Sequence, residues 1–380
     1  MKGVDLVVIQ PTPFCNINCS YCYLPQRNNT KRISETVVNR VVSSLIDNRL
    51  IHEQISVVWH AGEPLVLPPS FYSPLFDIFS SRLAPLGMAV SHCIQTNGTL
   101  ITQEWCDFIL RHNIRIGVSI DGPADIHNAN RKTRSGKGTF DEVMKGIALL
   151  QENKIPYHGI AVISKHSLKY ARPIFDFFYE NGFYQLGLNI EEIEGINNSS
   201  TLLNEDLTPD ITAFYKTIFD LYLTRERHMQ IREFDHAFNA ILRNPEQPDI
   251  SKLVAASHQN TPLSILSIDY EGNFSSFSPE LIGQHAEAYN DFIFGNILET
   301  GFTNGKRNDL LEKVAAEINS GIHQCKATCE YFHVCGGGAP SNKFFENGRF
   351  DSTETKYCKY NIKVPVRLVL GYLEEKLFIS

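Results

Sequence analysis

At ~150 residues per domain, 380 residues suggest two or three domains and ample length for a buried core. Hydrophobic residues at 43% and charged ones at 20% exclude a largely disordered chain, and 35 basic against 42 acidic side chains, net charge −7, leave no basic stripe for a nucleic acid. No apolar run nears the ~20 residues of a membrane span, and the start, MKGVDLVVIQPTPFC, lacks the apolar core and cleavage site of a secretory signal; a soluble cytoplasmic protein with no membrane partner is expected.

From the N-terminus to about residue 190, short β-rich runs alternate with loops and amphipathic stretches. Strands are predicted over 4–10, 55–60, 88–96, 114–120, 157–163 and 184–190, and helices over 34–47, 70–83, 102–112, 140–152 and 168–181. In the first helix Ser34 is a capping residue, and Val37, Val38, Val41, Val42 and Leu45 recur at the 3.6-residue period of one apolar face. Six such units imply a parallel sheet with helices outside it, doubly wound or a closed or partial β/α barrel, with functional groups on the loops that follow the strands. The rhythm then changes. A polar loop leads to a helical pattern over 211–243, the segment LSILSIDYEGNFSSF reads as a hairpin turning on Glu271-Gly272-Asn273, and helices follow over 308–319 and 364–378. Boundaries near 190 and 260 divide the chain into 1–190, a helical bridging region 191–260, and 261–380.

Nine cysteines are an odd number, which with no export signal suits metal-binding thiolates better than a disulfide framework. Cys15, Cys19 and Cys22 lie on one loop, TPFCNINCSYCYLPQ, directly after the first strand. Three thiolates are one short of the four ligands of a four-iron cubane, leaving one iron open to the amino and carboxylate groups of an amino acid; a structural zinc site, normally closed by four ligands, is the alternative. Tyr21 is placed to stack beside whatever the open iron holds. Cys325, Cys329, Cys335 and Cys358 form a second group, enough to close a structural or electron-transferring site, with a zinc knuckle as the alternative. Cys93 and Cys106 read as small core residues.

The C-x3-C-x2-C loop resembles that of the radical S-adenosylmethionine (SAM) enzymes, and further segments match in order. His60-Ala61-Gly62-Glu63-Pro64 is similar to the family's GGEP segment, with Ala61 in place of its first glycine. Gln95-Thr96-Asn97-Gly98 follows the third strand and Ser119-Ile120-Asp121-Gly122-Pro123 the fourth; with His127, Arg131 and the Gly136–Asp141 run they are similar to segments of peptide-modifying members. The resemblance implies a partial (β/α)6 barrel of the radical SAM type. It also implies a four-iron, four-sulfur cluster on Cys15, Cys19 and Cys22 whose open iron binds SAM and cleaves it to a 5′-deoxyadenosyl radical. Backbone groups at Ala61 and Gly62, with Glu63, would hold the SAM ammonium; Gln95, Asn97, Ser119 and Arg131 would complete the SAM site, with Ser119 and Arg131 on its carboxylate or ribose. Asp121 reads as a turn residue.

The C-terminal region resembles a SPASM domain, an extension that usually binds two auxiliary four-iron clusters. Here Phe277 occupies the position of the family's Gly-x4-Cys cysteine, position 339 is Ala, and no cysteine lies between Cys106 and Cys325. One auxiliary cluster is therefore expected, on Cys325, Cys329, Cys335 and Cys358, making two clusters in all. In the related anaerobic sulfatase maturases an acidic base directly follows the missing cysteine; this chain has Ser278 there and Glu280 two residues later, a candidate base whose alternative is an exposed surface glutamate. Glu191, Glu192 and Glu194 are further acids on the expected active face.

The wording of several segments, including VVWHAGEPLVLP, GNFSSFSPEL and CGGGAPSNKFFENG, resembles the cyclophane-forming maturases of glycine-rich repeat precursor peptides (the GrrM type). That resemblance implies a hydrogen abstraction followed by a cross-link from an aromatic carbon to a β-carbon. A sulfatase maturase forming formylglycine, or a non-catalytic iron–sulfur or zinc scaffold for a peptide complex, are the alternatives. Expected partners are a ribosomally synthesised precursor peptide and a reductant such as flavodoxin or ferredoxin. Because the first strand starts by about residue 4, with no room for a leader-gripping module before it, leader recognition is expected from 191–260, the C-terminal region or a separate leader-binding protein.

Overall fold

The computed structural model describes residues 3–203, 205–242, 258–302 and 308–379. The first half repeats one unit, a strand followed by a helix: β1 (Leu6–Ile9), α1 (Glu35–Asp47), β2 (Gln54–Trp59), α2 (Pro69–Leu83), β3 (Ala89–Thr96), α3 (Gln103–His112), β4 (Arg115–Ser119), α4 (Ala124–Asn130), α5 (Phe140–Glu152), β5 (Tyr157–Ile163), α6 (Ala171–Glu180) and β6 (Gln185–Ile190). Ser34 caps α1 by accepting from the Val37 N–H, and Thr102 caps α3 by accepting from that of Trp105, so each helix starts where its side-chain acceptor lies. The apolar face of α1, with Val38, Val41, Val42 and Leu45 fully buried, packs on the sheet. Strands β1 to β6 are all parallel to their neighbours, Leu6 facing Ser56 across the first pair and Ile163 facing Ile190 across the last.

The expected helical run from 211 divides into α7 (Thr208–Thr224) and α8 (Arg232–Leu242), separated by the two-residue strand β7 (Gln230–Ile231), which pairs parallel to β6. Arg243 and the rest of the bridging region up to 257 lie outside the described residues. The hairpin turns where expected, between β8 (Ile265–Ile268) and β9 (Asn273–Ser276), but extends the first sheet instead of starting its own. Strand β8 runs parallel to β1 on the side away from β2, with Leu6 opposite Ile265, and β10 (Gly295–Asn296) adds an antiparallel edge. The result is one mixed ten-stranded sheet in the order β10-β9-β8-β1-β2-β3-β4-β5-β6-β7. The C-terminal part is helical: α9 (Asp309–Thr328), α10 (Phe332–Cys335), α11 (Pro340–Asn347) and α12 (Val364–Ile379), the last two joined through a π turn at Cys358–Lys363. Among the described residues no helix is long and apolar enough to cross a membrane.

Candidate active site

The loops after β1, β2, β3, β4 and β6 open on one cavity of about 370 Å³, which Cys15, Cys19 and Cys22 line together with Glu63, Asn97 and Ser119. All nine cysteines are free thiols. Burial pushes the Cys15 thiol up to about 12 and that of Cys19 to about 11, so both stay protonated until a metal displaces the proton. Two donors aim at the sulfurs: Nδ2 of Asn97 lies 3.8 Å from Sγ of Cys15, and Nη1 of Arg131 lies 4.0 Å from Sγ of Cys19. Asn97 is held for this task, since its Oδ1 accepts from the N–H and hydroxyl of Thr99 at 3.0 and 2.7 Å.

The loop after β2 has to approach the cysteine loop very closely. Gly62 has φ +89°, and a Cβ there would stand 2.2 Å from the carbonyl oxygen of Thr12 and 2.9 Å from that of Phe14. Ala61 before it is also left-handed, at φ +68°. Glu63 borders the cavity but turns its carboxylate inward: Oε1 accepts from the Leu65 N–H at 2.9 Å and the Thr96 hydroxyl at 2.6 Å, and Oε2 from the Asn97 N–H at 2.7 Å. It thus ties the second loop to the third, and burial pushes its carboxyl up to about 7. Gln95 donates to Ser119 Oγ at 2.9 Å, which links the third loop to the fourth.

Asp121, expected as a turn residue, is instead fully buried and central. It accepts from the Tyr21 hydroxyl, pairs with Arg131 Nη2 at 3.1 Å and accepts from the Val162 N–H at 3.0 Å. Tyr21 therefore points its hydroxyl at Asp121, and its ring lies 5.5 Å from the Arg131 guanidinium carbon. Arg131 holds its fork on Asp121 and Cys19 while its Nε has no partner. Sequence reasoning missed this buried triad because nothing in the pattern Asp-Gly-Pro distinguishes an acid that faces inward from one that shapes a turn.

The same cavity is also lined by acids. Glu192 and Glu194, after β6, and Glu280, in the turn Pro279–Leu281, line it with Tyr23. Glu280 is not a surface residue: its Oε2 is sealed from solvent and has no hydrogen-bond partner. Glu194 is 8% exposed. Burial, then repulsion from Glu280, pushes Glu192 up to about 8, and the same two causes raise Glu194; burial raises Glu280 as well. Burial and mutual repulsion thus favour the protonated form in this set of acids. Glu191 also borders the cavity, and its carboxylate accepts from the Thr201 N–H and hydroxyl.

A second cavity, of about 630 Å³, is lined by Cys325, Cys329, Cys335 and Cys358. Gln259, Ala339 and Tyr357 border both cavities and so form a shared wall, and Ala339 is one of the positions where a cysteine is missing from the pattern above. Phe277, the other, is fully buried at φ +72° and meets Phe294 edge-on at 6.2 Å. Among the described residues no three His, Cys, Asp or Glu side chains close on a single-ion site. Each set of thiols lines a cavity of its own.

Residues 9–178 match the family model described as the Radical SAM superfamily. The chain is 37% identical over 379 residues to the uncharacterized protein sll1766 of Synechocystis sp., covering 99% of this chain and 94% of that one. It is 26% identical over 377 residues to the serine-type anaerobic sulfatase-maturating enzyme of Bacteroides thetaiotaomicron, covering 93% and 86%. Among solved structures, native anSMEcpe with bound AdoMet and Kp18Cys peptide superposes with a TM-score of 0.76 at 21% identity, over 98% of each chain. Three thiols on the loop after β1, the parallel sheet that presents them, and the sequence match together make this chain a radical SAM superfamily enzyme, whose family cofactors are a four-iron, four-sulfur cluster and SAM.

Proposed function

We propose that this enzyme oxidises a side chain of a peptide substrate. The observation that carries the reading is one cavity lined both by Cys15, Cys19 and Cys22 and by Glu192, Glu194 and Glu280. A cluster and SAM held at the thiols would supply the 5′-deoxyadenosyl radical that takes a substrate hydrogen. A two-electron oxidation then needs a proton acceptor and an electron acceptor. Glu280, with an unpartnered carboxylate oxygen, accepts the proton. Cys325, Cys329, Cys335 and Cys358 would hold a single auxiliary four-iron cluster, an electron acceptor behind the shared wall of Gln259, Ala339 and Tyr357. Gln95, Ser119 and the backbone at Ala61 and Gly62 bind SAM, and a flavodoxin or ferredoxin supplies the electron for its cleavage.

The named relatives favour conversion of a serine or cysteine to formylglycine, the chemistry of sulfatase maturation. A second reading, cyclophane cross-linking of a glycine-rich precursor, is favoured by Phe277 and Ala339, which remove the thiols of a cluster nearer the barrel, and by Ser278 standing where a maturase has its acid. The test is anaerobic turnover of the iron-loaded enzyme on two peptides, one a sulfatase-type segment with Ser or Cys, the other a glycine-rich repeat with aromatic residues. Formylglycine would be trapped by a hydrazide. A cross-link would cost two hydrogens, resist the hydrazide and tie two residues together in the fragment spectrum. SAM cleavage with neither peptide changed would sink both readings.

A further inference from the structure

Lys343, on α11, is 4% exposed, and among the described residues no carboxylate pairs with it. Its Nζ lies 3.6 Å from Sγ of Cys325. The ammonium is also pressed against α9 at a glycine: a Cβ on Gly321 would stand 3.1 Å from Nζ. A buried ammonium is costly unless an anion faces it, and the group it faces is a thiol of the second cysteine set. A neutral thiol is a poor partner, whereas a cluster with four thiolates carries net negative charge. We infer that Lys343 is a positioning residue for the auxiliary cluster, whose buried positive charge beside Cys325 offsets the cluster's negative charge and raises its reduction potential. The inference rests on the proposed second cluster. Position matters too, because the preceding residue, Asn342, donates to Glu192 in the substrate cavity. One turn of α11 therefore reaches both cavities, and the charge beside the electron acceptor sits next in the chain to the donor that holds a substrate-cavity acid.

The potential follows from charge: adding an electron makes the cluster more negative, and a nearby ammonium stabilises that state. The experiment is an anaerobic redox titration of the full-length, iron-loaded enzyme followed by electron paramagnetic resonance, with iron analysis beside it. Wild type, Lys343→Met and Lys343→Arg are compared. Wild-type iron near four per chain, not about eight at four irons per cluster, would remove the second cluster and this inference with it, a failure visible before any variant is made. With about eight irons present, Lys343→Met should shift the auxiliary midpoint to more negative potential and leave the SAM-binding cluster's midpoint in place; Lys343→Arg should restore it. Loss of four irons from the Met variant with recovery in the Arg variant would also support a charge role. Loss in both variants would mean that only the shape of lysine matters, and an unshifted auxiliary midpoint at full iron content would mean that its charge does not; either overturns the inference.

Discussion

Asp121 takes a phenol, a guanidinium and a backbone N–H, and through Arg131 it reaches Sγ of Cys19. Removing its charge leaves a guanidinium buried without its counter-charge. Asp121→Asn is expected to lower stability by about 3–5 kcal/mol, the scale for breaking a buried ion pair by one partner, read as a lower denaturant midpoint. Tyr21→Phe removes one neutral donor and should cost about 1 kcal/mol; equal losses for the two would mean that the carboxylate charge is not what holds Arg131. Glu192 gives a prediction of opposite kind. Its folded-state value of about 8 lies above its ordinary 4.5, so the fold favours the protonated form. The stability this contributes is complete below pH 4.5 and is lost as pH rises towards 8. Glu192→Gln stays neutral and can still accept from Asn342, so the thermal midpoint should fall less steeply with pH than in the wild type over that window. Parallel curves would place the repulsion elsewhere. At this scale the thiols were legible in the sequence, because their spacing carries chemistry. The surroundings of Asp121 and Glu280 were not, since burial of an acid is decided by strands and turns far away in the chain.

The βα units were legible because each strand and helix carries its own period, and Ser34 and Thr102 mark starts that the backbone obeys. What escaped were elements too short for a period: α4, which leads into Arg131, and β7, two residues between α7 and α8. The tightest approach of a glycine to another segment's backbone is also invisible as a pattern, since any turn welcomes a glycine. Gly62→Ala would drive a methyl group towards the Thr12 carbonyl at 2.2 Å, and backbone cannot yield as a flexible side chain can. The loop after β2 must then withdraw from the cysteine loop, so SAM binding, measured by equilibrium dialysis on the iron-loaded enzyme, should weaken by at least tenfold, about 1.4 kcal/mol. Unchanged binding would mean that the two loops do not form one SAM site. Phe277 makes a similar point about packing. It fills its space completely, and Phe277→Ala should cost about 3–5 kcal/mol as for other buried aromatics.

Across the whole molecule, the sheet continues from the barrel into the C-terminal hairpin through the pairing of β1 with β8, whose partners Leu6 and Ile265 are distant in sequence. Such pairing has no local signature in the sequence. Its consequence is that both cavities are built on one framework and share a wall at Gln259, Ala339 and Tyr357. The two thiol sets should nevertheless load independently, because no cysteine lines both cavities. Cys325→Ala combined with Cys358→Ala should bring iron from about eight to about four per chain, with SAM cleavage retained and oxidised peptide lost. Cys15→Ala combined with Cys19→Ala should also leave about four irons, but with SAM cleavage abolished. The contrast between equal iron loss and unequal chemistry assigns the roles. Loss of SAM cleavage in the first pair would show that the C-terminal thiols act in the cleavage site itself, and retention of cleavage in the second would remove the loop after β1 from the chemistry altogether.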